Sequence, residues 1–478
     1  MGNLTDLDAD ALSRTIHSRD ASCREVMQAY LARIEQVNPR YNAIVNLAPP
    51  EALLRQADEC DAELSRGHSR GWMHGMPQAI KDTGHAVGFP STLGSTVYRE
   101  LMPKVDSLYV SRMKAAGCIV IGKTNMPEFG LGSHTYNDLF GTTRNAWDPD
   151  RSAGGSSGGA AVALAQRLLP VADGSDFMGS LRNPAGWNHV FGMRPSQGRV
   201  PGWPRPDVWV SQLGTDGPMA RNVRDLARLL SIQAGHDPRA PLSIAEGPRD
   251  YVPTQLPAAS EFRIGWLGNL DGHLAMEPGI LDVCSGALNL FAQAGAQVDS
   301  VAHGFDAGSV WQSWLVWRRA LVAPNVAAAL AVPGAREKIK PEALWEHDSE
   351  QGLSFDEFMR ASVARTGFHA QMLSLLKDFD ALALPSAQLW PFEREMHWPR
   401  EIAGRKMDTY HRWMEVTLYA TFAGLPAVCV PAGFDPSGRW PMGLQLIGRP
   451  GADAELLRLA AVYEQLASPL LQRKPPAD

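Results

Sequence analysis

The sequence predicts an α/β fold. Amphipathic helical stretches alternate with short apolar runs along the whole chain, and Gly, Pro and Asn breaks separate them. No fixed-period repeat intervenes. With 478 residues, 45% hydrophobic and 20% charged, the chain is large enough to bury a core without disulfides or metals.

The elements follow in order. Asp20 to Ser22 reads as the cap of a helix over 20–37, with Val26, Met27, Tyr30, Leu31, Ile34 and Val37 on one face. Asn38 and Pro39 read as its stop. A helix over 107–115 leads into a short buried strand over 116–122. Residues 148–159 are a loop by composition, followed by a helix over 160–169, a strand over 169–173 and a small-residue turn over 174–180. A helix over 221–235 ends at glycine, and the Pro- and Arg-rich residues 236–260 read as a surface connection. Further strands are expected at 263–267, 296–301, 381–384, 427–431 and 442–447.

Charge and composition exclude several classes of function. A net charge of −6 gives no general basic field for nucleic acid. Five well-separated cysteines, without CxxC spacing, read as buried free thiols in a reducing compartment. The first residues carry neither a leader nor a myristoylation pattern, and no apolar run is long enough for a membrane span, so a cytoplasmic protein is expected. The histidines form no HExxH-like cluster, so neither metal nor cofactor is expected.

Two short motifs compete for attention. GCIVIGKT over 117–124 fits the phosphate-loop pattern, but Cys-Ile-Val-Ile reads as strand where a loop is needed, and Pro127 follows at once. GGSSG over 154–158 fits a nucleophile elbow at Ser156, yet a turn precedes it where the elbow needs a strand. An α/β-hydrolase using Ser156 as nucleophile stays as an alternative. Lys81 also stands out: lysines number nine, and this one ends an apolar run. Its bland reading is a side chain reaching solvent.

Taken together, GGSSGG (154–159), GSDFMGSLRNPA (174–185), PQAIKD (77–82), GKTNMPEFG (122–130), GPMAR (217–221), GLPAV (424–428) and PMGLQ (441–445) resemble the amidase signature family of serine hydrolases. The likeness covers nearly the whole chain. It implies one amidase domain over 1–478, with a signature core at about 70–235 and a variable cleft region at about 240–420. The implied fold is a mixed twisted sheet covered by helices on both faces.

The resemblance implies a Ser–cis-Ser–Lys triad, with Ser180 as nucleophile, Ser156 as relay after a cis Gly155–Ser156 bond, and Lys81 as base. A lysine serves as base only when desolvation favours its neutral form. The oxyanion would be met by backbone N–H groups of Phe177, Met178, Gly179 and Ser180, and Gly130 would contact substrate through its backbone. Met178 stands where the family has glycine; it would be strained if that position needed positive φ. Asp176 and Arg182 read as props of the nucleophile turn. Trp311, Trp314 and Trp317 recur every third residue, a pattern of core packing or of a substrate wall.

The expected function is hydrolysis of a small-molecule amide through an acyl-enzyme, with no nucleic acid, membrane or cofactor and with a homodimer allowed. The alternatives are an aryl or fatty amide, urethane or ester substrate on the same triad, the glutaminase subunit of a tRNA-dependent amidotransferase, and an inactive binding scaffold.

Overall fold

The computed structural model describes residues 3–349 and 352–476. The reading of the first residues as lacking a leader falls partly on Met1 and Gly2, outside the described residues. The strands in chain order are β1 (Ile44–Val45), β2 (Pro77–Lys81), β3 (Ile119–Thr124), β4 (Ala172–Asp176), β5 (Phe191–Arg194), β6 (Thr215–Ala220), β7 (Arg263–Trp266), β8 (Gln297–Ser300), β9 (Ala381–Pro385), β10 (Glu401–Ile402), β11 (Arg405–Lys406), β12 (Ala427–Phe434) and β13 (Pro441–Ile447).

Eight of these strands form a mixed sheet in the order β4-β6-β5-β12-β13-β9-β7-β8. Pairing is antiparallel from β4 to β9 and parallel across β9, β7 and β8. A separate three-stranded sheet, β1-β3-β2, lies beside it, with β2 parallel to β3. Helices Arg182–Trp187, Val223–Gln233, Ile280–Gln293 and Asp453–Leu466 pack on the large sheet. One hydrophobic core runs from Ala9 to Ala467. A smaller cluster, including Leu131, Val322, Val326 and Tyr410, joins helix Ala307–Leu330 to the loop after residue 130.

Most expected strands are present, with shifted ends. The first long helix departs more clearly: it runs Cys23–Tyr41, through the anticipated stop at Pro39. In the last turn Pro39 removes only one N–H from the helix, and Asn42, at φ 53°, closes it by donating to the Asn38 carbonyl at 2.7 Å. The Asn38 carboxamide then holds the exit, accepting from the N–H groups of Ala43 and Ile44. The strand expected at 169–173 is β4, three residues later, so Gly174 to Asp176 are strand where a turn was expected.

Strands β5 and β6 were not anticipated. β6 contains Gly217 and Pro218, which read locally as a turn. The ladder tolerates this proline because β5 pairs only with Ala220 and Met219, leaving position 218 beyond its reach.

The GCIVIGKT string is β3 and its lead-in. Lys123 is buried and donates to the Gly84 carbonyl at 2.6 Å, with Asp82 at 3.4 Å, so no phosphate loop exists there. All five cysteines are buried and free. Burial raises every thiol, pushing Cys118 and Cys429 up to about 12. Among the described residues, no helix is long and apolar enough to cross a membrane.

Candidate active site

Lys81 ends β2 with its side chain wholly buried (0% exposed), not reaching solvent. Its Nζ lies 2.8 Å from Ser156 Oγ, 2.9 Å from Ser157 Oγ, 2.9 Å from Ser175 Oγ and 3.3 Å from the Ser175 carbonyl. Burial pushes its pKa down to about 7, against the pull of the Asp216, Asp176 and Asp173 carboxylates.

Ser156 lies between a turn and a helix. The loop ends at Ser157, and helix Gly158–Ala165 follows, so no strand runs into Ser156 and the elbow geometry is absent. The Gly155–Ser156 peptide bond is cis. The glycines after it permit close packing: a Cβ at Gly159 would meet the Asn125 backbone N at 2.5 Å and the Ala43 carbonyl at 2.6 Å. Ser157 links the parts, since its N–H donates to the Ser180 carbonyl at 3.2 Å while its Oγ faces Lys81.

The segment after β4 turns on the buried carboxylate of Asp176. Its two oxygens accept from the N–H groups of Gly179 at 2.8 Å and Leu181 at 3.2 Å, and from the Arg182 guanidinium at 3.0 Å on each side. Arg194 adds a second buried cation at 3.5 Å. Burial alone would raise this carboxyl, but Arg182, Arg194 and the Gly179 N–H overcome it and hold it well below the ordinary carboxylate range. Asp176 and Arg182 are thus props of the turn.

One of the expected oxyanion donors is bonded within the turn. The Gly179 N–H is committed to Asp176, and Gly179 is not on the cleft wall, whereas Phe177, Met178 and Ser180 are. Gly179 is needed for another reason: it has φ +83°, and a Cβ there would lie 2.4 Å from Thr417. Met178 is absent from the positive-φ residues, so it is not strained, and its carbonyl accepts from Thr417 Oγ1 at 3.0 Å.

Ser156 and Ser180 open onto one cleft of about 520 Å³. Among the described residues, Ser180 Oγ makes no hydrogen bond to Ser156. Gly130 also lines the cleft, placed so that a Cβ on it would be 3.7 Å from Ser156 Oγ. Leu321, Val322 and Val326 line the cleft with apolar side chains, and Arg205 and Asp216 line it with charged ones.

The tryptophan stripe is core. Trp311, Trp314 and Trp317 are buried and absent from the cleft wall, and Trp314 backs the ring of Phe177 at 5.4 Å. The same helix lines the cleft farther along its length, through Arg318, Ala320, Leu321, Val322, Pro324, Asn325 and Val326. Arg318 is itself held by Glu346 and the Tyr410 hydroxyl, each at 2.5 Å.

Sequence reasoning missed Ser157, Ser175, Asp173 and Asp216. Asp173 accepts from the Lys81 N–H and the Tyr109 hydroxyl, both at 3.1 Å, and burial pushes it up to about 6. The available signal was the alternation of Asp173 and Ser175 on one strand, hidden because the sequence pattern sets β4 too early.

The amidase family description matches residues 25–457. The chain is 32% identical over 480 residues to an acylamidase of Rhodococcus erythropolis, covering 99% of this chain and 98% of that one. It is 31% identical over 497 residues to a glutamyl-tRNA(Gln) amidotransferase subunit of Thermosynechococcus vestitus, covering 97% and 98%. The crystal structure of a bacterial aryl acylamidase of the amidase signature enzymes matches with a TM-score of 0.89 and 29% identity, covering 97% of each chain. Fold and likeness together define a hydrolase acting on amides. The chain belongs to the amidase signature family.

Proposed function

We propose that the protein hydrolyses a small-molecule amide through an acyl-enzyme on Ser180, with Ser156 as relay and Lys81 as base, within a single amidase domain. The observation that carries this reading is the buried Lys81 Nζ, 2.8 Å from Ser156 Oγ, on a cleft that Ser180 shares.

A neutral amine has two N–H groups and one lone pair. The Ser175 carbonyl can only accept, which takes one N–H. The lone pair is then left for a hydroxyl to donate into, and Ser156 is the nearest. Ser180 loses its proton to Ser156 as it attacks the substrate carbonyl, and Ser156 passes its own to Lys81. The N–H groups of Phe177, Met178 and Ser180 face the developing oxyanion, while the Gly179 N–H holds the turn. The relay runs backwards to protonate the departing amine, and water then releases the acid. The apolar side chains of Leu321, Val322 and Val326 on the cleft favour a substrate with an apolar acyl or aryl group.

Labelling with a fluorophosphonate, followed by peptide mass spectrometry, tests the assignment. An adduct on Ser180 is expected. An adduct on Ser156 instead overturns the assignment of Ser180 as nucleophile, and none at all supports the inactive scaffold. Likeness to the amidotransferase component supports a second reading, a glutaminase that works only with partner subunits; turnover of anilides, aliphatic amides, urethanes or esters by the chain alone dismisses it.

A further inference from the structure

Three carboxylates oppose the neutralisation of Lys81, and they are not equivalent. Asp173 is fully buried and tied to the Lys81 N–H, Tyr109 and Gln78. Asp176 is locked by Arg182 and Arg194. Asp216 is different: it lines the cleft, and its counter-ion is Arg205, on the rim loop, at 3.3 Å.

Strand register places Asp216 beside the base. Asp216 pairs with Ser175 across β4 and β6. Directly opposed residues of an antiparallel pair project to the same face, with Cβ atoms roughly 4.5–5.5 Å apart. Ser175 Oγ is 2.9 Å from Lys81 Nζ. The carboxylate is therefore one side chain away from the amine, and its attraction for the protonated form is the first of the opposing pulls.

The other charged or titratable groups around this point are known. Tyr109 reaches it from helix Leu108–Ala115, and Lys123 acts on Asp173 from β3. Asp207 sits on the rim loop with Arg205. Among the cations here, Lys123 is buried, whereas the Arg205 bonded to Asp216 is partly open to solvent, with its side chain 28% exposed against 15% for Asp216.

We propose that the Arg205–Asp216 pair sets the proton affinity of Lys81, so that the rim of the cleft tunes the base beneath it. The proposal rests on the reading of Lys81 as base. Removing the carboxylate favours the neutral amine; removing the guanidinium unmasks the carboxylate and favours the protonated one. A substrate that engages either rim group changes the balance in the same way.

The test is the pH dependence of the rate of fluorophosphonate adduct formation on Ser180, in the full chain and in Asp216→Asn, Arg205→Met and Lys81→Met. Asp216→Asn is expected to move the acid-side midpoint down, and Arg205→Met to move it up, each by about half to one unit. A purely structural role would lower the rate without moving the midpoint. Unmoved midpoints with normal Ser180 labelling overturn this proposal and leave the base reading standing. Labelling indifferent to Lys81→Met overturns both. Should Asp216→Asn not fold, Arg205→Met decides alone, since its side chain lies on an exposed loop.

Discussion

Lys81 Nζ and Ser156 Oγ stand 2.8 Å apart in a pocket that water does not reach from the lysine side. An amine held this way is neutral only above its depressed pKa, so, if it is the base proposed above, kcat/KM is expected to rise with pH through a midpoint near 7. Lys81→Met should lower kcat by about 10²–10⁴-fold. A pH–rate profile flat between 6 and 8 would sink this assignment.

The same shift couples to stability. Between about 7 and the ordinary lysine value of 10.5, the unfolded chain holds more protons at this site than the folded one. Stability from this group therefore climbs as pH rises through that window. Denaturant midpoints of the parent chain minus those of Lys81→Met should climb likewise from neutral to alkaline pH.

Asp176→Asn leaves Arg182 and Arg194 as buried cations without their carboxylate, and weakens acceptance from Gly179 and Leu181. The expected cost is about 3–5 kcal/mol by urea unfolding. In the parent chain, this carboxyl's contribution is complete above pH 3.8 and fades as pH falls below it. An Asn variant of parental stability would contradict the role of prop.

Gly179→Ala forces a side chain into a left-handed position and against Thr417. The backbone term alone is roughly 1–2 kcal/mol. Because the turn carries Met178 and Ser180, Ser180 labelling should slow as well. Thermal unfolding and labelling rates, measured together, check this.

Ser157→Ala and Ser175→Ala each remove a hydroxyl partner from the buried Lys81 Nζ. Both should lower kcat with little change in KM, because neither alters the apolar wall. A rise in KM alone would instead assign them to substrate binding.

Lys81 and Ser156, 2.8 Å apart, and Ser180, which shares the cleft with Ser156, were singled out in the sequence because GGSSGG, GSDFMGS and PQAIKD resemble family segments with compatible spacing. The wiring between them was not. Ser175 and Asp216 meet only because β4 pairs with β6, and β6 is disguised by Gly217 and Pro218. Pro39 misled for a related reason: the side chain of Asn38, anchored to residues beyond the helix, supports a turn that local propensity would end. The tryptophan stripe had the right helix but sits before the cleft-lining residues, since which turns meet the cleft depends on how Ala307–Leu330 docks.

The sealed cysteines have a practical corollary. With five thiols buried and held protonated, an alkylating reagent finds no thiolate on the native surface. Iodoacetamide can therefore quench contaminating thiol enzymes in a crude preparation while leaving this hydrolase competent, so that remaining amide turnover is free of thiol-enzyme background.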